Sequence, residues 1–349
     1  MKGLSLFSGA GIGETYFKEC GVDIIVANEI IKKRAELYKR IYPTANMIQG
    51  DISEEKIFNE IMETAKNVDF IIASPPCQGM SVAGKNRCLN SMQSDQRNYL
   101  IEYVIKAIKQ LKPKYVLIEN VPLLFKLKIM YDSKPQTILE ILQEEFQTQY
   151  IIENRVMDAA DYGVPQTRLR AIVKMNLKGT EWEWPQKSSK KITVHDAIGK
   201  LPSLEAGEKS KIKWHYSRNH DQRHILWMKN TPTGKSAFSN EIHYPQKRDG
   251  KRITGYESSY RRIKWDEPSP TITIRNDAIS SQRNVHPGKL QEDGTYSDAR
   301  VLTPLELMYL TSLPENWNIP EDTPEILIRQ CIGESIPPLM LKKIIEGIK

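Results

Sequence analysis

Apolar residues in the first half of the chain fall into short runs separated by longer stretches with helical spacing. The runs Gly3–Phe7, Asp23–Asn28, Asp69–Ser74 and Lys114–Glu119 are each followed by a segment long enough for a helix, the alternation expected of an α/β domain with a parallel sheet. Lys32–Ile41, Gln96–Leu111 and Pro135–Phe146 carry apolar side chains at helical intervals and are predicted as helices. Tyr150–Val156 and Arg168–Met175 are predicted as two closing strands. The pattern describes a doubly wound, Rossmann-like sheet. Beyond Met175 the period is lost among short pieces rich in Lys, Ser, Gly, Pro and Trp, and it returns as helix in Pro304–Leu313 and Pro337–Ile348. This divides the chain into a main domain, residues 1–178 with 301–349, and a smaller irregular domain, residues 179–300. No internal repeat or low-complexity tract interrupts either.

Composition narrows the class. The 349 residues are 40% hydrophobic and 27% charged, enough apolar surface to close a core and too little charge for a disordered chain. No apolar run approaches the roughly 18 residues that a membrane helix needs, so a soluble cytoplasmic protein is expected. The four cysteines, Cys20, Cys77, Cys88 and Cys331, are far apart and suggest neither a disulfide framework nor a metal site. Charge is unevenly spread: residues 1–175 carry 23 basic and 21 acidic side chains, residues 176–289 carry 22 and 12, and residues 290–349 carry 5 and 10. The net values are +2, +10 and −5. The basic middle segment also holds all six histidines and five of the six tryptophans, a mixture suited to phosphate contact and base stacking, although a solvated basic face would have the same composition.

Candidate chemistry collects at predicted strand ends. The first strand runs into Phe7-Ser8-Gly9-Ala10-Gly11-Ile12-Gly13, a glycine turn predicted to open a helix whose N-terminus favours anions. Glu29, ending the second strand, can take both ribose hydroxyls of a nucleoside cofactor, and Asp51, ending the third, can accept from an adenine amine. Taken singly either acid is as well explained as a cap or loop residue; together with the glycine turn they outline a nucleoside pocket. The fourth strand ends in Ser74-Pro75-Pro76-Cys77-Gln78, where two prolines stiffen the loop and hold Cys77 at the carboxyl edge of the sheet. The fifth strand brings Glu119 to the same edge. Arg168 and Arg170, at alternate positions, point to one face.

The order of these motifs resembles the cytosine carbon-5 DNA methyltransferases of bacterial restriction–modification systems, and the resemblance covers nearly the whole chain. It rests on Phe7–Gly11, Glu29, Asp51, Pro76-Cys77-Gln78, Glu119-Asn120-Val121, Gln166-x-Arg168-x-Arg170, Pro268-Ser269-Pro270-Thr271-Ile272 and Gly333-Glu334-Ser335-Ile336-Pro337-Pro338. It implies that Phe7, Gly9, Gly11, Ile12, Glu29, Ile30, Asp51, Ile52, Pro76, Leu100, Glu334 and Ser335 surround S-adenosylmethionine. Two departures stand out. Ile30 occupies a position where many relatives have an aromatic, which bears on adenine packing, and Glu334 one where most have Asn, which bears on the methionine end.

Cytosine carbon-5 is a poor nucleophile, so the family's chemistry needs a thiolate to add to carbon-6 first. The resemblance implies that Cys77 does this, that Glu119 hydrogen-bonds the ring nitrogen and amine, and that Arg170 holds the base carbonyl with Arg168 in support. No side chain is singled out for removing the carbon-5 proton, which leaves water as one acceptor. A stacked base is out of reach, so the cytosine must be swung out of the duplex and a loop must close over it; Met80–Arg97, with Ser81, Lys85 and Arg87, is the candidate. Double-stranded DNA is the implied partner, with Ser236–Ser259 as the sequence reader and Arg218, Lys247, Arg248, Lys251 and Arg252 as candidate DNA contacts. A monomer is expected, nucleoid-associated when on DNA, paired in function with a restriction endonuclease but in no stable complex with it. Three rival readings fit the sequence less well. The tRNA-methylating branch typically has a Cys-Phe-Thr tripeptide, absent here. An amino-methyltransferase reading of Ser74-Pro75-Pro76 needs an aromatic where Cys77 stands. A non-catalytic DNA-binding relative would have no use for intact Cys77, Glu119 and Arg170.

Overall fold

The computed structural model describes residues 1–76 and 95–349. Seven strands form one twisted sheet in the order β3-β2-β1-β4-β5-β9-β8: β1 (Lys2–Leu6), β2 (Asp23–Glu29), β3 (Asn46–Gln49), β4 (Phe70–Ala73), β5 (Tyr115–Asn120), β8 (Tyr150–Asp158) and β9 (Leu169–Leu177). Strands β1 to β5 are parallel, and β9 runs antiparallel to both β5 and β8. The central strands β4 and β5 are buried at every position, as a sheet covered on both faces requires. The strand order turns around between β1 and β4, and the crevice at their carboxyl ends is where open α/β sheets bind ligands.

One face of the sheet is covered by α2 (Glu55–Thr64), α3 (Ile101–Leu111) and α4 (Ile138–Phe146), whose apolar stripes join Leu4, Leu6, Ile71, Val116, Ile118 and Val173 in the largest core cluster. The other face is filled by Phe17, Trp182 and the last helix, α9 (Pro338–Ile345), packed on Phe70, Ile72, Tyr115 and Leu117. Helix α1 (Lys32–Ile41) lies against α8 (Glu325–Glu334), with Leu37 and Ile41 sharing a cluster with Ile328, Cys331 and Ile332.

Three sequence expectations change. The helix expected from Pro135 begins at Ile138, because Lys134–Thr137 is instead a strand, β7, paired in a hairpin with β6 (Lys128–Tyr131). Thr137 then caps α4 in a reciprocal capping box with Glu140. The glycine turn opens no α-helix: Ile12–Glu14 and Lys18–Cys20 are single 3-10 turns, so no helix dipole is available there to hold an anion. Helix α8 was hidden in a segment whose apolar residues are broken by Arg329, Gln330 and Gly333.

The middle segment holds two short helices, α5 (Val194–Ile198) and α6 (Gln222–Lys229), and α7 (Pro304–Leu310) follows it. A small apolar cluster of Trp227, Met228, Ala237, Ile279, Val285, Ala299 and Val301 lies inside it. Buried cations compensate for the shortage of sheet hydrogen bonds. Arg262 donates to the carbonyls of Met228, His286, Tyr296 and Asp298. Arg300 sits 2.8 Å from both Asp298 and Glu306, fully buried, and so fixes the segment to α7. The stretch from Ser269 to Ile272 returns to the main sheet region, where the Thr167 amide donates to the Ser269 carbonyl and the Ser269 amide to the Pro165 carbonyl.

Candidate active site

The crevice is built from loop ends that the parallel strands deliver side by side. Phe7 leaves β1 in the left-handed region at φ 59°, a conformation that costs a non-glycine residue about 1 kcal/mol. The strained turn is secured from β4, where the Ser74 amide donates to the Leu6 carbonyl and its hydroxyl to the Phe7 carbonyl. Gly9 (φ +58°) has nothing within 4 Å of where a Cβ would stand, whereas at Gly11 (φ +73°) a Cβ would lie 2.4 Å from the Tyr42 ring and 2.8 Å from that of Tyr38. The first glycine leaves an open cradle and the second permits close packing below it. The Tyr42 hydroxyl donates to the Gly11 carbonyl at 2.8 Å.

Glu29 is 5% exposed, and its carboxylate accepts the Gly9 amide at 2.9 Å and the Ile31 amide at 2.7 Å. It therefore binds the glycine turn to the end of β2, and each oxygen retains acceptor capacity. Asp51 Oδ1 accepts from the Ser53 amide and hydroxyl, an Asx turn that sets the side chain. The glycine turn is thus tied to the end of β2 through Glu29, and the end of β3 is tied to it through the Gly50 amide, just before Asp51, donating to the Glu29 carbonyl. Ile52 is buried in the main core, Ile12 is buried beside Leu37 and Ile41, and Phe7, Pro76 and Leu100 are half-buried. Ile30 is 55% exposed. Ser335 caps α8 and donates to the Ile332 carbonyl.

On the substrate side, Arg170 Nε lies 2.7 Å from Glu119 Oε1, both nearly buried. Burial pushes the Glu119 carboxyl above its ordinary value and outweighs the opposing pull of Arg170 and Arg168. Arg168 is 3% exposed and donates to the carbonyls of Ile272, Gly333 and Glu334. It binds the two late motifs to the start of β9. Gln166 acts similarly, donating to the Leu310 carbonyl and accepting the Ile272 amide. Asn120 Nδ2 donates to the Pro75 carbonyl at 2.9 Å, which fixes the approach to Cys77 from the end of β5. Cys77, Ser81, Lys85 and Arg87 lie outside the described residues.

The remaining candidates are dispersed. Arg218 faces Glu325 at 3.5 Å. Lys247, Arg248 and Lys251 are exposed on a turn closed by the Gln246–Arg252 bridge and by the Lys247 amide donating to the Lys251 carbonyl. Arg252 is stacked 4.2 Å from the Tyr244 ring centre and donates to the carbonyls of Phe238 and Asn240, so it braces this turn.

Sequence reading missed a buried carboxyl beneath the glycine turn. Glu14 accepts hydrogen bonds from Ser5 and from Tyr38, the latter at 2.6 Å, and burial raises it from 4.5 to about 7. A folded-state value above the unfolded one gives stability that is present in acid and lost as pH rises through 7. Glu14→Gln, whose uncharged amide can accept from one hydroxyl and donate to the other, is expected to stabilise the protein by roughly 3 kcal/mol at pH near 8 and little at pH near 5. Thermal unfolding at the two pH values checks this, and equal shifts at both would refute it. The only signal in the sequence was an acid directly after three alternate glycines.

Among the described residues no group of His, Cys, Asp and Glu is placed to hold a metal ion, and no helix is long and apolar enough to cross a membrane. The free thiol of Cys331 is buried and pushed up to about 12, which suits packing and not chemistry.

Comparison with solved structures defines the class. The fold matches that of a DNA modification methyltransferase encoded in an Escherichia coli prophage, with a TM-score of 0.72 at 20% identity over 99% of this chain and 98% of that one. It also matches the Entamoeba histolytica methyltransferase EhMeth at 0.66 and 17%, over 99% and 97%. The architecture is that of the Rossmann-like methyltransferases. The family model for C-5 cytosine-specific DNA methylase matches residues 1–349, and the chain belongs to that family. It is 62% identical to the Type II methyltransferase M1.HgaI of Avibacterium volantium over 99% of this chain and 97% of the relative, and 30% identical to M1.HphI of Haemophilus parahaemolyticus over 99% and 86%. The protein is thus a DNA cytosine methyltransferase.

Proposed function

We propose that the protein methylates carbon-5 of a cytosine swung out of one specific duplex DNA sequence, as the modification enzyme of a restriction–modification system. The observation that carries this reading is the buried Glu119–Arg170 pair at the sheet edge, 2.7 Å apart and joined through Asn120 to the proline loop that leads to Cys77. The Type II names of the relatives support the restriction–modification context.

Residues at the ends of β1 to β3 fit a nucleoside: an open cradle at Gly9, the anchored carboxylate of Glu29 and the oriented carboxylate of Asp51. These, with Phe7, Ile30, Ile52, Pro76, Leu100, Glu334 and Ser335, would hold S-adenosylmethionine, which when bound supplies an electrophilic methyl group. In the reaction, the Cys77 thiolate adds to cytosine carbon-6, and the electron pair of the 5,6 double bond becomes available at carbon-5. Glu119, kept protonated more easily by burial, donates to the ring nitrogen and accepts from the amine. Arg170 donates to the carbonyl oxygen as negative charge gathers there. With the methyl group bonded to carbon-5 through that electron pair, loss of the carbon-5 proton to solvent expels the thiolate and restores the double bond.

Residues 1–178 with 301–349 form the catalytic part in this reading, and residues 179–300 the DNA-reading part, with the exposed turn of Lys247, Arg248 and Lys251 toward DNA. The enzyme acts as a monomer, and a cognate endonuclease cutting the same site needs no contact with it. Bisulfite sequencing of plasmid from expressing cells is the test. Protected cytosines confined to one sequence context are expected; uniform conversion would sink the reading.

A further inference from the structure

A cleft at the open edge of the sheet has no part in the chemistry above. Its floor is the face of β8 and β9 that carries Glu153, Arg155 and Lys174, its wall is formed by residues 182–187 beyond β9, and its volume is about 780 Å³. The wall is pinned at both ends: the Glu183 amide donates to the Gly347 carbonyl, and the Ser188 amide donates to the Asp161 carbonyl at 2.7 Å. Asp161 lies in the turn Ala159–Tyr162 that follows β8. Because β9 runs antiparallel to both β5 and β8, that turn stands at the carboxyl edge of the parallel strands, where the crevice opens.

The acids around the cleft are already engaged. Glu153 takes the Lys174 ammonium at 2.8 Å and the Trp184 indole N–H at 2.9 Å, Glu183 takes Lys349, and Asp161 takes Lys187 and Lys191. Among the described residues one cation of the cleft is left over. The Arg155 guanidinium lies over Trp184, 4.7 Å from the ring centre, with neither an acid nor a hydrogen-bond acceptor of its own among those residues. Trp184 is held in turn by Glu153 and by the ammonium of Lys174, 4.7 Å from the ring centre and 1% exposed. An exposed guanidinium stacked in one orientation is a ready fork for a phosphate or a carboxylate. The Tyr162 hydroxyl also lacks a hydrogen-bond partner among the described residues. Burial raises it while Lys187 and Arg155 pull it back, so the three groups line one space.

We propose that this cleft takes a backbone phosphate of the duplex, gripped by the Arg155 fork with the Tyr162 hydroxyl donating beside it. Place decides for a phosphate: a duplex laid along the crevice passes the carboxyl edge of β8, where the exposed Lys187, Lys190 and Lys191 draw a polyanion toward the mouth. The proposal rests on the DNA reading given above and extends the DNA contact to β8 of the main domain.

Binding to duplex DNA of arbitrary sequence, measured across a range of salt, is the test. One lost phosphate contact lowers the slope of log K against log salt by about 0.9, so Arg155→Ala is expected to show that reduction. Its binding near physiological salt should be about three- to tenfold weaker. Arg155→Lys, which keeps the charge without the fork, should keep the slope and recover part of the affinity. Lys112→Ala, which removes a charge at the far end of α3, should leave the slope as in the wild type. In methylation of plasmid DNA, Arg155→Ala should raise KM by the same factor with kcat unchanged. A wild-type slope in Arg155→Ala, or an equal reduction in both alanine variants, would overturn the proposal, as would a fall in kcat, the mark of a structural role. Loss of inorganic phosphate binding with no change on DNA would assign the cleft to a free anion and overturn it too. A wild-type protein that bound no DNA would remove the DNA reading as well, whereas normal wild-type binding with an unaffected Arg155→Ala removes this inference alone.

Discussion

Cys77→Ala is expected to abolish methyl transfer and, with it, the covalent adduct that the wild-type protein forms on DNA containing 5-fluorocytosine. Fluorine at carbon-5 cannot leave as a proton, so the thioether at carbon-6 persists and appears as a DNA–protein band in a denaturing gel. Among the described residues no group is suited to replace the thiolate. Glu119 is committed to Arg170, and the described thiols are poor substitutes: Cys331 is buried with its thiol pushed up to about 12, and Cys20 is raised by burial as well. Addition at carbon-6 also depends on where the sulfur is held, since a small misplacement of a reacting atom can cost about 10²-fold. The Asn120 bond to the Pro75 carbonyl and the Ser74 bond to the Phe7 carbonyl fix the loop just before Cys77 to two adjacent strand ends. A Cys77→Ala protein that still formed the adduct would overturn the nucleophile assignment.

Glu119→Gln is expected to lower the single-turnover rate by about 10²–10³-fold, the usual result of losing one preorganised donor at a site of developing charge, with DNA and cofactor binding retained. The amide can still hydrogen-bond the base edge but cannot deliver a proton to the ring nitrogen. The pH dependence discriminates further. Burial holds the Glu119 carboxyl above its ordinary value, so its protonated, donating form is present in acid and lost as pH rises through that raised value. The wild-type rate attributable to Glu119 should fall with rising pH, and the Gln variant should lack that limb. A variant with the wild-type rate, or one retaining the same alkaline fall, would remove Glu119 from the chemistry.

Most of the sheet was legible because buried parallel strands read as apolar runs, as Phe70–Ala73 does throughout and Tyr115–Asn120 does up to Glu119. Their carboxyl ends mark the crevice by topology alone, which is why the sequence could place Glu29, Asp51 and Glu119 at strand ends. The β6–β7 hairpin was not, since Lys134–Thr137 is polar and half exposed and its pairing is decided by tertiary contacts. Periodicity also failed at the glycine turn, where left-handed Gly11 packs against two tyrosine rings and stops helix growth. Glu14 escaped because an acid directly after a glycine turn reads as solvated until the fold shows what covers it. In the irregular segment, buried Arg262 and Arg300 organise the chain through backbone carbonyls and acids far along the sequence, a kind of contact that leaves no local period.

The last helix has a consequence for how the enzyme comes into being. Its apolar face closes the sheet side formed by Phe70, Tyr115 and Leu117, Trp182 Nε1 donates to the Ile344 carbonyl, and the Tyr115 hydroxyl donates to the Lys349 carbonyl. The turn just before it accepts the guanidinium of Arg168. Strands made early therefore wait for residues made much later, and contacts of such long sequence separation are slow to form. A nascent chain that already holds Arg168 still lacks the Gly333 and Glu334 carbonyls that receive its guanidinium. The arginine side of the crevice is therefore complete only when residues 333–348 dock.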